Sequence, residues 1–216
     1  MVVLKKASIL TLLAVTLLAL VIAVLFLLEA LPEVEEEGVL HLLHRLFALY
    51  GFLFLGVATL MTPFLAEVTR AFGKPFLEVH HAFSALGIAF ITLHPVFNAM
   101  QVLSLAVFVP RFDSWEVFWM FAGRPALIIL YIAVVAAFLR MKMPKYWRPV
   151  HALMYVVLLF GIVHANLLGD SFQNFGIMLI FDALFAASMA SFAYKLYKNY
   201  GMRRKYRHLS DDKTIR

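Results

Sequence analysis

The chain has 216 residues, of which 63% are hydrophobic and 15% charged, and it carries a formal charge of +6. Soluble domains average about 25% charged residues, so this composition excludes a water-soluble globular protein of ordinary kind. With no cysteine, disulfides, covalently attached haem, thiolate-held iron–sulfur clusters and thiolate zinc sites are excluded, and histidine is left as the strongest ligand type.

A membrane-spanning helix needs about 20 apolar residues. Residues 7–28 form an uncharged run behind Lys5 and Lys6. The run exceeds the apolar region of a secretory signal, and no small-x-small cleavage pattern follows Leu28, so it is expected to be a first span. Residues 46–65 predict a second, with Pro63 near its end. Residues 79–110 lack formal charge; a third span fills the first part, and Val109-Pro110 belongs to a loop. The fourth is short, because only residues 125–139 are uncharged between Arg124 and Arg140, so Arg124 is expected to snorkel to the interface. Residues 149–169 predict a fifth span. A sixth covers 174–197 and carries one acid, Asp182. The expected fold class is therefore all-α, an integral membrane bundle of six transmembrane helices over residues 1–197, followed by a basic tail over 198–216.

Charge placement tests this parse. On a six-helix parse the segments on one side (residues 1–6, 70–75, 140–148 and everything after 194) hold sixteen of the nineteen Lys and Arg residues. The opposite loops hold Arg45, Arg111 and Arg124 together with Glu33-Val34-Glu35-Glu36-Glu37. Positive residues accumulate on the cytoplasmic side of membrane proteins, so both termini are expected in the cytoplasm and the protein in the cell membrane as a multi-pass chain. The basic clusters adjoin apolar blocks and form no groove, which argues against nucleic acid as a partner and for membrane lipid. The tail segment Met202-Arg203-Arg204-Lys205-Tyr206-Arg207 reads as a cluster on anionic headgroups or as a docking surface for an acidic soluble partner.

Histidines at membrane depth carry the chemistry, since ionisable groups there are costly. The third span holds His80, His81 and His94; the fifth holds His151 and His164. Both spans run in the same direction, and the 14- and 13-residue separations correspond to roughly 21 and 19.5 Å of helix. Inner histidine therefore faces inner histidine, and outer faces outer. A haem iron takes two axial imidazoles, one from each side of the ring, so two ligand levels on two facing helices suit two b-type haems stacked across the bilayer. At about 100° per residue, His80 and His94 lie roughly 40° apart around the helix while His81 and His94 lie about 140° apart. His80 is thus the preferred inner ligand, with His81 as its alternative. The pair on the fifth span needs a local distortion, for which Gly161 is a candidate, and Pro95 is expected to kink the third.

The paired spacings, together with Trp147-Arg148-Pro149-Val150-His151-Ala152-Leu153-Met154-Tyr155, resemble the ferric-reductase-like transmembrane domain. That domain is shared by ferric reductases, NADPH oxidases and the haem-binding membrane subunit of bacterial methionine sulfoxide repair. The resemblance covers residues 45–195. His80 and His94 match the family's pair on the third helix, and His151 and His164 the pair on the fifth; Ser84 stands where the family usually has glycine. It implies that the chain conducts single electrons and is the membrane subunit of an oxidoreductase.

Arg148, Lys145 and Tyr146 lie where inner haem propionates would emerge, although plain positive-inside residues would fall there too. Arg124 and the pair His44-Arg45 are candidates for the outer propionates or an outer acceptor. Asp182 is a candidate for pairing with a cation, relaying protons or packing through a hydrogen bond. No GxGxxG fingerprint occurs, so no flavin or NAD(P)H domain is expected in this chain. Electrons would come from a separate cytoplasmic flavoprotein or a quinol and leave toward an outer-face protein or ferric iron. Two other readings remain open: a quinol-oxidising cytochrome b of a dehydrogenase complex, and a haem-free divalent-metal transporter using the same histidines.

Overall fold

The computed structural model describes the backbone of residues 2–214 and the side chains of residues 13–32, 38–198 and 200. Within them the chain is helical and contains no strand. The helices are α1 (Val2–Ala30), α2 (Val34–Leu60), α3 (Leu65–Phe72), α4 (Phe76–Val102), α5 (Trp115–Met120), α6 (Gly123–Phe138), α7 (Trp147–His151), α8 (Met154–Leu168) and α9 (Phe175–Thr214). Six stretches are long and apolar enough to cross a bilayer: Leu13–Ala30, Gly38–Leu60, Phe76–Val102, Gly123–Met141, Trp147–Leu168 and Phe175–Lys198. The protein is thus an all-helical, multi-pass membrane bundle. In such a solvent every backbone group must bond within its own helix, which is why no other secondary structure competes.

Large apolar side chains cover the outside, among them Leu17, Leu28, Ile132, Phe138 and Leu179. The interior is built on Ile22 and Phe26 of α1, Leu53 of α2, Leu130 of α6, Leu158 of α8, and Ile177 and Phe181 of α9. Since lipid is as apolar as these residues, close packing and interhelical hydrogen bonds must hold the helices together. α2 and α4 make the tightest pair. A Cβ on Gly51 would lie 2.8 Å from the Ile91 backbone nitrogen, and one on Gly87 would lie 2.9 Å from that of Leu55. Hydroxyls bind the remaining helices: Tyr50 donates to the Ala19 carbonyl of α1, and Ser191 of α9 donates to the Leu60 carbonyl of α2.

Several expectations are corrected. α2 begins upstream of residue 46, with a non-helical Gly38 (φ 81°) redirecting the chain, and Pro63 lies in the turn beyond its end. Arg45 is therefore no loop residue. It sits inside α2 at 4% exposure, tolerated there because it pairs with Glu29 of α1, donates to Ser171 Oγ and lies over the Phe26 ring. Arg124 is held by protein: it donates to the carbonyls of Ala106 and Val109, both at 2.9 Å, and stacks on Phe121. The fifth span is interrupted at Ala152–Leu153, where Leu153 and Tyr155 bond three residues back; Gly161 lies within regular α8. The side chains of Lys5, Lys6, Glu33–Glu37 and the basic tail lie outside the described residues. Between α4 and α5 the loop is polar, and the hydrogen bond from Arg111 holds the Asp113 carboxyl below the usual carboxylate range.

Candidate functional site

α4 packs along α2, and α8 packs along α6, but the backbones of α4 and α8 scarcely approach one another. The four histidines singled out by spacing line this separation. Each of them points Nδ1 at a backbone carbonyl of a neighbouring helix. His80 reaches Ala58 O at 3.2 Å and His94 reaches His44 O at 2.8 Å, both on α2. His151 reaches Ala133 O on α6 at 3.0 Å, and His164 reaches Met120 O at the end of α5 at 2.5 Å. A carbonyl only accepts, so Nδ1 must carry the proton in all four rings and Nε2 is left with its lone pair. That is the tautomer, with the other ring nitrogen donating to a carbonyl, that an imidazole ligating a metal through Nε2 requires.

The carbonyls are available for simple reasons. Ala58 lies in the last turn of α2 and Met120 ends α5, where helical carbonyls lack a donor ahead of them. Ala133 and His44 are mid-helix, and close packing brings the imidazoles to them. His44 O is within reach because Gly51 and Gly87 let α2 and α4 approach so closely.

At the inner level the rings of His80 and His151 are 6.4 Å apart, centre to centre, and 80° apart in plane. A metal centre about 2.0 Å from each ring nitrogen would have room between two imidazoles so spaced. The pair fits. Ser84 Oγ lies 3.5 Å from His80 Nε2, so the serine is beside the free ring nitrogen. His81 is exposed on the outer side of α4. At the outer level His94 and His164 are each tethered, to the carbonyls of His44 and Met120. Gly123 opens space for the second ring: a Cβ there would lie 2.8 Å from His164 Cδ2 and 3.1 Å from Nε2.

The donor set also discriminates between kinds of metal group. A bare ion held by protein needs three or four ligands. Among the described residues no group of three or more His, Asp or Glu side chains is arranged to hold one. His80 and His151 form a pair, which would suit a metal group that supplies further donors of its own.

Other expected site residues are dispersed. Arg148 is exposed and lies over the Trp147 ring, and Lys145 lies over Tyr146. Asp182 accepts from Asn166 at 3.0 Å on the outside of the bundle. Sequence reasoning overlooked Gly123 and a second polar group around His41, Gln101 and Asp170. The latter had one legible signal, the placement of His41, His44 and Arg45 on one helical face.

Comparison of the chain with known protein families, with curated proteins and with solved structures found no match in any of the three.

Proposed function

We propose that this protein is the haem-carrying subunit of a transmembrane electron-transfer system, similar to the ferric-reductase-like transmembrane domain. His80 and His151 would hold an inner b-type haem, and His94 and His164 an outer one. The observation that carries this reading is the set of four imidazoles with Nδ1 on backbone carbonyls, two of them 6.4 Å apart across a helix pair that does not close. When bound, haem supplies reversible one-electron iron chemistry.

The chain's own residues do the rest. The carbonyl bonds orient each ring, fix its tautomer and raise the basicity of Nε2. Phe76 stacks on His80 at 5.4 Å and helps to exclude water from the inner level. Arg148 is suited to meet the carboxylates of the inner group by charge-assisted hydrogen bonds. On this reading the termini and the basic loops face the cytoplasm of a cell membrane. The donor is a separate flavoprotein or a quinol, and the acceptor is a protein or ferric iron on the outer face.

The test is an oxidised-minus-reduced optical spectrum of the chain purified in mild detergent, with a pyridine-haemochrome count. The expected result is a sharp b-type band and two haems per chain, falling to one in His80→Ala and unchanged in His81→Ala. No haem, from a host that loads membrane cytochromes, would overturn the proposal.

A further inference from the structure

Residues 103–122 join the spans Phe76–Val102 and Gly123–Met141 at the end of the bundle that holds His94 and His164. The segment presents Leu103, Leu105, Val109, Phe112 and Trp115, each at least 59% exposed, and its charged residues are Arg111, Asp113 and Glu116. This apolar surface continues onto α4 through Met100 and Val102. Between α4 and the segment runs an apolar groove of about 410 Å³, lined by Val96, Met100, Leu105 and Phe108 among others.

Contiguous exposed apolar surface marks a contact with membrane or with protein. Three observations point to lipid. The patch is continuous with the lipid-facing side of a span, and both ends of the segment are fixed at span ends. In Arg111-Phe112-Asp113-Ser114-Trp115-Glu116 aromatic rings also alternate with polar and charged groups, a pattern suited to the layer between headgroups and hydrocarbon.

The same segment grips the bundle. Arg124 of α6 donates to its carbonyls at Ala106 and Val109. Ser114 Oγ accepts from the Val117 amide and starts α5. From α5, Phe118 and Trp119 meet the Phe160 ring of α8 edge to face at 5.8 and 5.4 Å. Phe112 stacks on Phe118, and Trp115 packs against Trp119. The two exposed rings thus stand on the two that hold α8. Phe160 lies one turn before His164, and Met120, the last residue of α5, offers its carbonyl to His164 Nδ1.

We infer that residues 103–122 lie in the lipid interface with Phe112 and Trp115 immersed, and that this seating makes α5 a positioning element for His164. The second half rests on the function proposed above. Immersion of the two rings fixes how α5 lies on α8, and so where the Met120 carbonyl stands. That carbonyl holds the Nδ1 proton and raises the basicity of Nε2. Trp115 acts through Trp119 and Phe160 and touches no ligand itself.

The experiment uses the full chain in phosphatidylcholine liposomes. Spin labels on Phe112→Cys and Asp113→Cys, each the sole cysteine, report collisions with oxygen, which concentrates in lipid, and with a water-soluble nickel chelate. The expected result is oxygen preference at 112 and nickel preference at 113. Nickel preference at 112, or shielding there from both reagents by a second copy of the chain, overturns the inference. The positioning half is read in the haem-loaded protein by potentiometric titration, the outer transition being the one lost in His164→Ala. Trp115→Glu, a surface change that leaves the core intact, should raise the outer midpoint, because a weaker Nδ1 bond makes Nε2 a poorer donor to ferric iron. The inner midpoint should stay in place, and Trp115→Phe should keep both at wild-type values. An outer midpoint unmoved in Trp115→Glu overturns the positioning half while the labels decide immersion. A wild type without haem overturns the functional proposal and the positioning half with it, and immersion is still read from the labels.

Discussion

At Gly123 one methyl group decides whether the His164 ring keeps its place. The added Cβ would meet ring atoms at 2.8 and 3.1 Å, and the ring is tethered behind by the Met120 carbonyl, so it has little freedom to retreat. Gly123→Ala is expected to lower the haem count toward one per chain, leaving the inner level intact. Gly161→Ala is the control: its Cβ would meet only the Phe52 ring at 3.3 Å, and the count should stay at the wild-type value. Arg45 poses a different problem. Removing one member of a buried ion pair strands the other's charge and costs about 3–5 kcal/mol. Arg45→Ala should therefore lower the thermal midpoint in detergent, because it removes the cation set against Glu29. The double change Glu29→Gln with Arg45→Met should recover most of the loss. A double variant no better than the single one would show that Arg45 stabilises through contacts other than Glu29.

Two helix pairs organise the molecule at the level of elements. α4 depends on α2 for both of its Nδ1 contacts, at Ala58 and at His44, so the closeness of this pair positions both levels at once. A bulky residue at Gly87 would collide with Leu55 and force α4 away. Gly87→Leu is expected to abolish binding at both levels, in contrast to Gly123→Ala, and a pyridine-haemochrome count distinguishes the two outcomes. The interruption at Ala152–Leu153 has a comparable role on the other side. Bonds to the third residue back replace the α-helical pattern there, between His151 and His164, so the thirteen-residue spacing need not obey the phase of one ideal helix.

For the whole molecule, the orientation proposed from the basic loops can be measured directly, because the natural chain contains no cysteine. Single cysteines at Lys142, in the exposed turn after α6, and at Asp113, in the exposed loop before α5, should react from opposite sides. The expected pattern is labelling of Asp113→Cys in intact cells and of Lys142→Cys only after permeabilisation. Labelling of both from one side would contradict six crossings. Reversed sidedness would place the His80–His151 level at the outer face and refute the proposed cytoplasmic electron donor.

The number and approximate positions of the six spans were legible in the sequence because the length of an uncharged apolar run is a property of composition alone. So was the inward direction of His80 relative to His81, since the helical period sets angles around one axis without reference to neighbours. Contacts between helices obey no such rule. Arg45 read as a loop cation until Glu29, sixteen residues earlier, and Ser171, on the far side of the chain, proved to enclose it. Gly161 seemed the flexible point of the fifth span, yet the interruption came at Ala152–Leu153, which carries no glycine or internal proline to announce it. The carbonyls that hold the four imidazoles belong to Ala58, His44, Ala133 and Met120, residues whose side chains have no part in the contact. Every residue has a carbonyl, so sequence cannot mark which ones will be used. Only the packing of α2 on α4, of α6 on α7 and of α5 on α8 brings those four oxygens within hydrogen-bonding distance of the rings.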